Sequence, residues 1–182
     1  MKQLLILSIL LLQSFCVFSQ KYMTQSGTIS FFSEAPIENI ESTNNQVSSV
    51  INLENGQLVF SLLMKAFVFE KALMQEHFNE KYVESDIYPK AIFKGQIQDF
   101  ETIELSTTPL DVAVVGTLTI HGESHEITSV GQMYYDENNR IRVNSTIEVA
   151  LDKYKIKIPS SVQENISNTI AITIQMEYEK LD

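Results

Sequence analysis

The chain has 182 residues, of which 44% are hydrophobic, and its formal net charge is −10. This length suits one domain behind a short leader, and the acidic excess disfavours partners such as nucleic acid or anionic lipid headgroups, because like charges repel. A single cysteine excludes a disulfide framework within the chain.

The first residues have the features of a secretory signal peptide. Lys2 supplies a basic start, and the apolar run Leu4–Leu12 is too short to span a bilayer. Val17 and Ser19 then occupy the −3 and −1 positions of a cleavage site after Ser19, where signal peptidase accepts such residues. We therefore expect a leader over residues 1–19, a mature domain over residues 20–182, and a periplasmic or secreted location.

The lone cysteine, Cys16, falls inside this leader. A lipobox is disfavoured because the bulky Phe15 stands where a small residue is needed. Removal of the leader would leave no thiol for redox chemistry. No later apolar run is long enough for a membrane helix, so we expect no stable membrane span.

Alternation with a period of two residues indicates that strands make up most of the mature chain. Thr28–Phe32 and Ile37–Ser42 are expected to open the domain. The pair Asn55-Gly56 suits a tight hairpin, which would join Val47–Leu53 to a strand that begins at Gln57. That next strand is predicted to run to Val68, and its apolar face comprises Leu58, Phe60, Leu62, Met64, Ala66 and Val68.

One segment, Glu70–Tyr82, has apolar residues at helical spacing among good helix formers. A weaker helical turn is predicted at Ser160–Asn165. Turns are predicted at Gly122–Ser124 and Asp136–Asn139. The remaining strands are predicted over Ala91–Gln98, Val114–His121, Glu126–Tyr135, Ile141–Leu151 and Ile166–Tyr178.

The pattern predicts an all-β fold of about eight antiparallel strands with one short helical segment. The last strand, Ile166–Tyr178, would reach roughly 40 Å at about 3.3 Å per residue, which favours a tall closed barrel over a sandwich. A barrel of this size either fills with side chains or holds one ligand. Alternation alone does not decide between these two kinds of interior.

Two motifs resemble the YceI-like family. The first is His77–Gly95, in which a histidine, an acidic and aromatic stretch and Tyr88-Pro89 precede Phe93. The second is Val115–Gly122, which is similar to a Gly-x-Leu-Thr-x-His-Gly hairpin. Overlapping the start of the first motif, Met74–Glu80 resembles the variant found in Bacteroidetes-type members.

This resemblance implies an extended eight-stranded antiparallel lipocalin-like barrel that binds a polyisoprenoid chain in its interior. The sequence departs from the family pattern at Lys71–Glu76, at Gly122–Ser124 and at Leu151–Lys155. These segments carry family residues that could contact a headgroup, so the resemblance leaves the headgroup contacts unassigned.

An isoprenoid or another long-chain lipid would need a dry interior with few polar groups. The candidate ligand contacts are the inward faces of the strands and a few residues near the mouth. The interior candidates are Leu58, Phe60, Leu62, Met64, Val68, Phe93, Leu118, Ile120, Val143, Ile147, Val149, Ile170, Ile172, Ile174 and Met176. The mouth candidates are His77, Phe78, Tyr82, Tyr88 and His121.

No motif in the sequence indicates catalysis, a metal or a cofactor. His121 and His125 flank a hairpin turn, but a zinc site needs three or four converging ligands. There is no Gly-x-Ser-x-Gly turn and no mature thiol. We therefore expect a non-catalytic binding protein, with an enzyme that uses His77 or His121 as the least favoured reading.

A further alternative is an envelope interaction module with a packed core and no small ligand. Phe67 and Phe69, which the alternation places outside the barrel, would contribute to its surface. The sequence leaves the oligomeric state open, a homodimer included.

Overall fold

The computed structural model describes residues 20–33, 39–159 and 167–181. The predicted leader, the weak helical turn at Ser160–Asn165, Ile37 and Ile166 lie outside these residues. The strands are β1 Lys21–Ser33, β2 Ile40–Asn52, β3 Gln57–Leu63, β4 Val68–Phe69, β5 Lys90–Ile97, β6 Leu110–Ile120, β7 Glu123–Tyr135, β8 Ile141–Ala150 and β9 Thr169–Lys180. The helix α1 spans Ala72–His77.

The strands form one antiparallel sheet in the order β1-β9-β8-β7-β6-β5-β3-β2, and pairing of β1 with β2 closes it into a barrel. The short strand β4 pairs with the start of β2, where Thr43 faces Val68. It extends the wall beyond the end of β3. The predicted eight-stranded barrel with one short helix is confirmed.

The hairpin between β6 and β7 is tighter than predicted. Ile120 pairs with Glu123, so the turn consists of His121 and Gly122 alone. Their φ angles are 51° and 76°, as a type I′ hairpin requires. Glu123 and Ser124, which were predicted to lie in the turn, belong to β7.

The loop between β2 and β3 is longer than predicted. Asn52 pairs with Gln57, which leaves a four-residue loop instead of a two-residue turn. Within this loop only Gly56 has a positive φ, of 71°. The predicted pairing partners are nevertheless correct, and β2 is one long strand rather than the two separate strands expected from the sequence.

The predicted strand Leu58–Val68 is wrong beyond Leu63. A 3-10 helix over Met64–Ala66 interrupts it. There the N–H of Met64 donates to the carbonyl of Pro89 at 2.9 Å as the chain leaves β3 and turns toward the start of β2. The three-residue turn reverses the alternation, so Val68 faces outward and its neighbours face inward.

The predicted helical segment is confirmed and has an uncommon ending. After α1, residues Phe78–Tyr82 form a π-helical turn, and the N–H of Val83 donates to the carbonyl of Phe78 at 3.0 Å. We call the barrel end that this segment covers the helix end. The hairpin at His121-Gly122 lies at the same end because β6 runs toward it.

The other end, which holds residues 20 and 181 and which we call the terminal end, is closed. The hydroxyls of Tyr178 and Ser49 are 2.7 Å apart, and Ser49 donates to the carbonyl of Val59 at 2.9 Å. Burial raises the pKa of Tyr178, so its phenol stays neutral. Met133 and Ile141 are also fully buried here and complete the floor of the barrel.

An ion-pair network covers the hairpin at this end. The guanidinium of Arg140 donates from Nε to Asp136 Oδ2 at 2.9 Å and also pairs with Glu177. Arg142 bridges the same two carboxylates, at 3.2 Å and 2.5 Å. Burial opposes the ionisation of Asp136, but hydrogen bonds from Arg140, Asn138 and Arg142 outweigh it and lower its pKa to about 2.

This network predicts an acid-sensitive contribution to stability. Because folding lowers the pKa of Asp136, its contribution is complete above the ordinary carboxyl pKa near 4 and is lost as pH falls toward about 2. Asp136→Asn should therefore be less stable than the wild type at pH 7 and should lose less stability on acidification. Urea unfolding between pH 2 and 7 measures both; parallel pH profiles for the two proteins would contradict the prediction.

Candidate ligand-binding site

The barrel interior is a cavity of about 360 Å³. Its lining includes Val112 near the terminal end and Ile120 at the helix end, which are eight residues apart on β6. At about 3.4 Å per residue, the lined stretch of this strand is about 27 Å long. The described part of the barrel is therefore hollow, which is inconsistent with the alternative of an interior filled by side chains.

Most of the predicted contacts line this cavity. They lie on the inward faces of five strands, in the 3-10 helix after β3, or on the inner side of the helical segment. They are Leu58, Phe60, Leu62, Met64, His77, Phe78, Tyr82, Phe93, Leu118, Ile120, Val143, Ile147, Val149, Ile170, Ile172 and Ile174.

The structure places four of the predicted residues outside the lining, namely Val68, Met176, Tyr88 and His121. Val68 is 65% exposed because the 3-10 helix reverses the alternation. Met176 is buried below the cavity, where its sulfur fills the space beside Gly27 that a Cβ would otherwise occupy. Tyr88 packs edge-on against the ring of His121, with the ring centroids 4.5 Å apart.

An aromatic cluster that sequence reasoning missed lies in the cavity wall toward the helix end. Phe31, Phe67, Phe69 and Phe78 have ring centroids 5.0 to 5.8 Å apart. Phe67 and Phe69 are buried, so the expectation that they are exposed is wrong. The alternation of Thr28 to Phe32 could have identified Phe31, whereas the other two follow a break that the pattern does not show.

Further residues line the cavity that were not named among the predicted contacts. They include Ile29, Ile51, Met74, Val83, Ile97, Val112, Val114, Ile127, Met133, Leu151 and Ile156.

The few polar groups that line the cavity are mostly paired and uncharged. Ser145 Oγ donates to the carbonyl of Val130 at 2.9 Å and lies 2.8 Å from Ser129 Oγ. Burial raises the pKa of Tyr82, so its phenol is neutral at neutral pH. Among the described residues, no Asp, Glu, Lys or Arg lines the cavity. Such a wall suits an uncharged, apolar occupant.

His121 attaches the hairpin to the helix end of the barrel. Its Nδ1 donates to the carbonyl of Tyr154 at 3.0 Å, and its Nε2 lies 2.8 Å from Glu84 Oε2. The side chain is 10% exposed. Both ring nitrogens face an oxygen acceptor, so this imidazole links the hairpin to Glu84 and to the 3-10 turn that contains Tyr154.

His125 makes a separate contact. Its Nε2 donates to the carbonyl of Lys153 at 2.7 Å, and its ring packs against Tyr154 with centroids 5.0 Å apart. The two hairpin histidines therefore bind different groups. Within residues 20–33, 39–159 and 167–181, no cluster of three His, Cys, Asp or Glu side chains could hold a metal ion.

The family model for the YceI-like domain matches residues 20–178. The chain belongs to the YceI-like family. None of the matches assigns it to a subgroup, so the Bacteroidetes-type assignment stays a prediction. No curated protein matches the sequence significantly.

Solved structures of YceI-like and related proteins share the fold. A polyisoprenoid-binding domain from Saccharophagus degradans, implicated in plant cell wall breakdown, aligns with a TM-score of 0.77 at 15% identity, over 90% of this chain and 99% of that one. BcnA of Burkholderia cenocepacia aligns at 0.70 and 12% identity, over 85% and 96%. The YceI protein of Campylobacter jejuni aligns at 0.61 and 16% identity, over 81% and 90%.

In the described part of this YceI-like chain, helices are too short or too polar to cross a membrane.

Proposed function

We propose that this YceI-like protein binds a long apolar molecule, an isoprenoid-type lipid, inside its barrel and carries or sequesters it without chemical change. The observation that carries the proposal is the long apolar cavity, whose described lining contains no Asp, Glu, Lys or Arg side chain. The fold shared with the Saccharophagus degradans polyisoprenoid-binding domain supports the same ligand class.

The energetics of such binding need no specific headgroup contact. Burial of each methylene contributes about 0.8 kcal/mol, so ten of them contribute roughly 8 kcal/mol before the costs of association. Branched isoprenoid chains and the flexible lining residues Met64 and Met74 can adapt to one another. The proposed location is the periplasm or the medium, after cleavage near Ser19.

Native mass spectrometry of protein purified from its own host tests the proposal. We expect a mass increment from a bound lipid, and we expect the extracted molecule to contain repeated isoprene units. The mature amino terminus, read in the same spectrum, should begin at Gln20. Consistently lipid-free protein that also fails to take up an added isoprenoid would contradict the proposed function.

A further inference from the structure

The wall of the barrel has an incomplete seam between β7 and β8. These strands pair from Tyr135 with Ile141 up to Gly131 with Ser145, and the pairing stops there. In the same register, residues 126–130 of β7 would face residues 146–150 of β8, yet none of these pairs forms. By contrast, β6 pairs with β7 along the whole of Leu110–Ile120, and β9 pairs with β8 along the whole of Ile141–Ala150.

A side-chain contact marks each end of the unpaired stretch. Toward the terminal end, the hydroxyls of Ser129 and Ser145 are 2.8 Å apart, just beyond the last backbone pair. Toward the helix end, His125 binds the carbonyl of Lys153 instead of a residue on β8. The slit between Ser129 and His125 spans four residues, or about 13 Å along the strand.

The slit opens directly onto the cavity. Ile127 and Ser129 on one side, and Ile147 and Val149 on the other, line the interior. Their outward neighbours on both strands, among them Thr128 and Glu148, are exposed. At the slit, therefore, the two strands whose inward side chains line the cavity are not joined by ladder pairing.

Opening this slit breaks fewer interactions than opening either end of the barrel. The terminal end contains buried Met133, Ile141 and Tyr178, and the helix end is covered by the aromatic cluster and by the contacts of His121. Strand edges without ladder hydrogen bonds separate at low cost, because no backbone hydrogen bond between them is lost.

We propose that the apolar ligand enters and leaves the barrel laterally, through the unpaired seam between β7 and β8. This inference rests on the proposed function, and it names the route to the same cavity. The seam separates locally, the chain slides between Ile127 and Ile147, and the serine pair and His125 limit the length of the opening.

A covalent staple across the seam tests the proposal. The exposed positions Thr128 and Glu148 would be opposite each other if the register continued, so Thr128→Cys with Glu148→Cys, in a Cys16→Ser background, places two thiols across the slit. Where the slit is too wide for a disulfide, a bis-maleimide linker bridges the same pair. The matched control is Lys94→Cys with Thr117→Cys, two exposed residues that face each other across the complete β5–β6 seam.

The probe is all-trans-retinol, an isoprenoid alcohol whose fluorescence rises in an apolar environment. In stopped-flow mixing, the stapled β7–β8 variant should bind it at least about tenfold more slowly than the same protein with free thiols, because binding then requires a rarer opening. Dissociation should slow by a similar factor and leave Kd nearly unchanged. The β5–β6 control should bind at the rate of the wild type.

The possible contrary outcomes overturn different claims. Retinol uptake that is equally fast with and without the staple would overturn lateral passage while leaving the binding function intact. Absence of retinol binding by the wild type and by the unstapled variant would overturn the proposed function itself. Weaker binding that comes from faster dissociation, with association as fast as in the unstapled protein, would show that the staple deforms the cavity, and it would also count against the lateral route.

Discussion

Leu62→Trp is expected to abolish copurification of lipid while the barrel still folds. Leu62 lies in β3 opposite Ala91, is 8% exposed and lines the cavity. An indole at this position would occupy space that the ligand chain needs. Exclusion of two methylenes forfeits about 1.6 kcal/mol, so we expect retinol affinity to fall by more than about tenfold. Fluorescence titration measures the loss.

The matched control for this experiment is the next residue. Leu63 faces outward and is 47% exposed, so Leu63→Trp adds the same side chain without entering the cavity. Its retinol affinity and bound lipid should equal those of the wild type. Circular dichroism should show the same β-sheet spectrum for both variants. Lipid bound to the Leu62 variant at the wild-type level would contradict the assignment of the cavity as the binding site.

Gly116→Ala is expected to be the most destabilising single methyl addition in the barrel wall. Gly116 faces Gly95 across the β5–β6 pair. A Cβ at position 116 would lie 2.4 Å from the carbonyl oxygen of Lys94 and 2.6 Å from the Cα of Gly95, which are backbone atoms. Relief of such overpacking costs about 3 kcal/mol, which lowers Tm by roughly 10 °C in a protein of this size.

Gly95→Ala is the comparison that isolates the backbone clash. The three atoms nearest to a Cβ there belong to side chains and include Phe93 Cε1 at 2.4 Å and Val114 Cγ1 at 3.1 Å. The phenyl ring can rotate toward the cavity, so this variant should lose clearly less stability than Gly116→Ala. Thermal unfolding of the two proteins measures the difference. Equal losses, or no loss at position 116, would contradict this account of the glycine pair.

The strands could be predicted because each one repeats a local physical pattern. Alternation puts the apolar side chains of β8 and β9 on one face, and a closed barrel turns that face inward. The same reasoning correctly located Val143, Ile147 and Ile172 in the cavity wall. It also identified the helical segment, because Leu73, Phe78 and Tyr82 recur at helical rather than alternating intervals.

Alternation failed where non-local contacts redirect the chain. The 3-10 helix at Met64–Ala66 depends on the carbonyl of Pro89, a residue far along the sequence. Because a shift of one residue exchanges the two faces of a strand, Val68 moved to the outside. Met176 faces inward as predicted, but it is buried in the floor of the barrel and does not line the cavity.

The sequence by itself determined the strand and helix pattern, the apolar inner faces and the family, because these depend on the identity and spacing of neighbouring residues. Only the tertiary structure decided that the interior is a cavity, that four phenylalanines form its wall near the helix end, and that the β7–β8 seam stays unpaired. These features depend on how distant strands pack and pair, and whether a closed sheet leaves space inside depends on the sum of all its inward side chains.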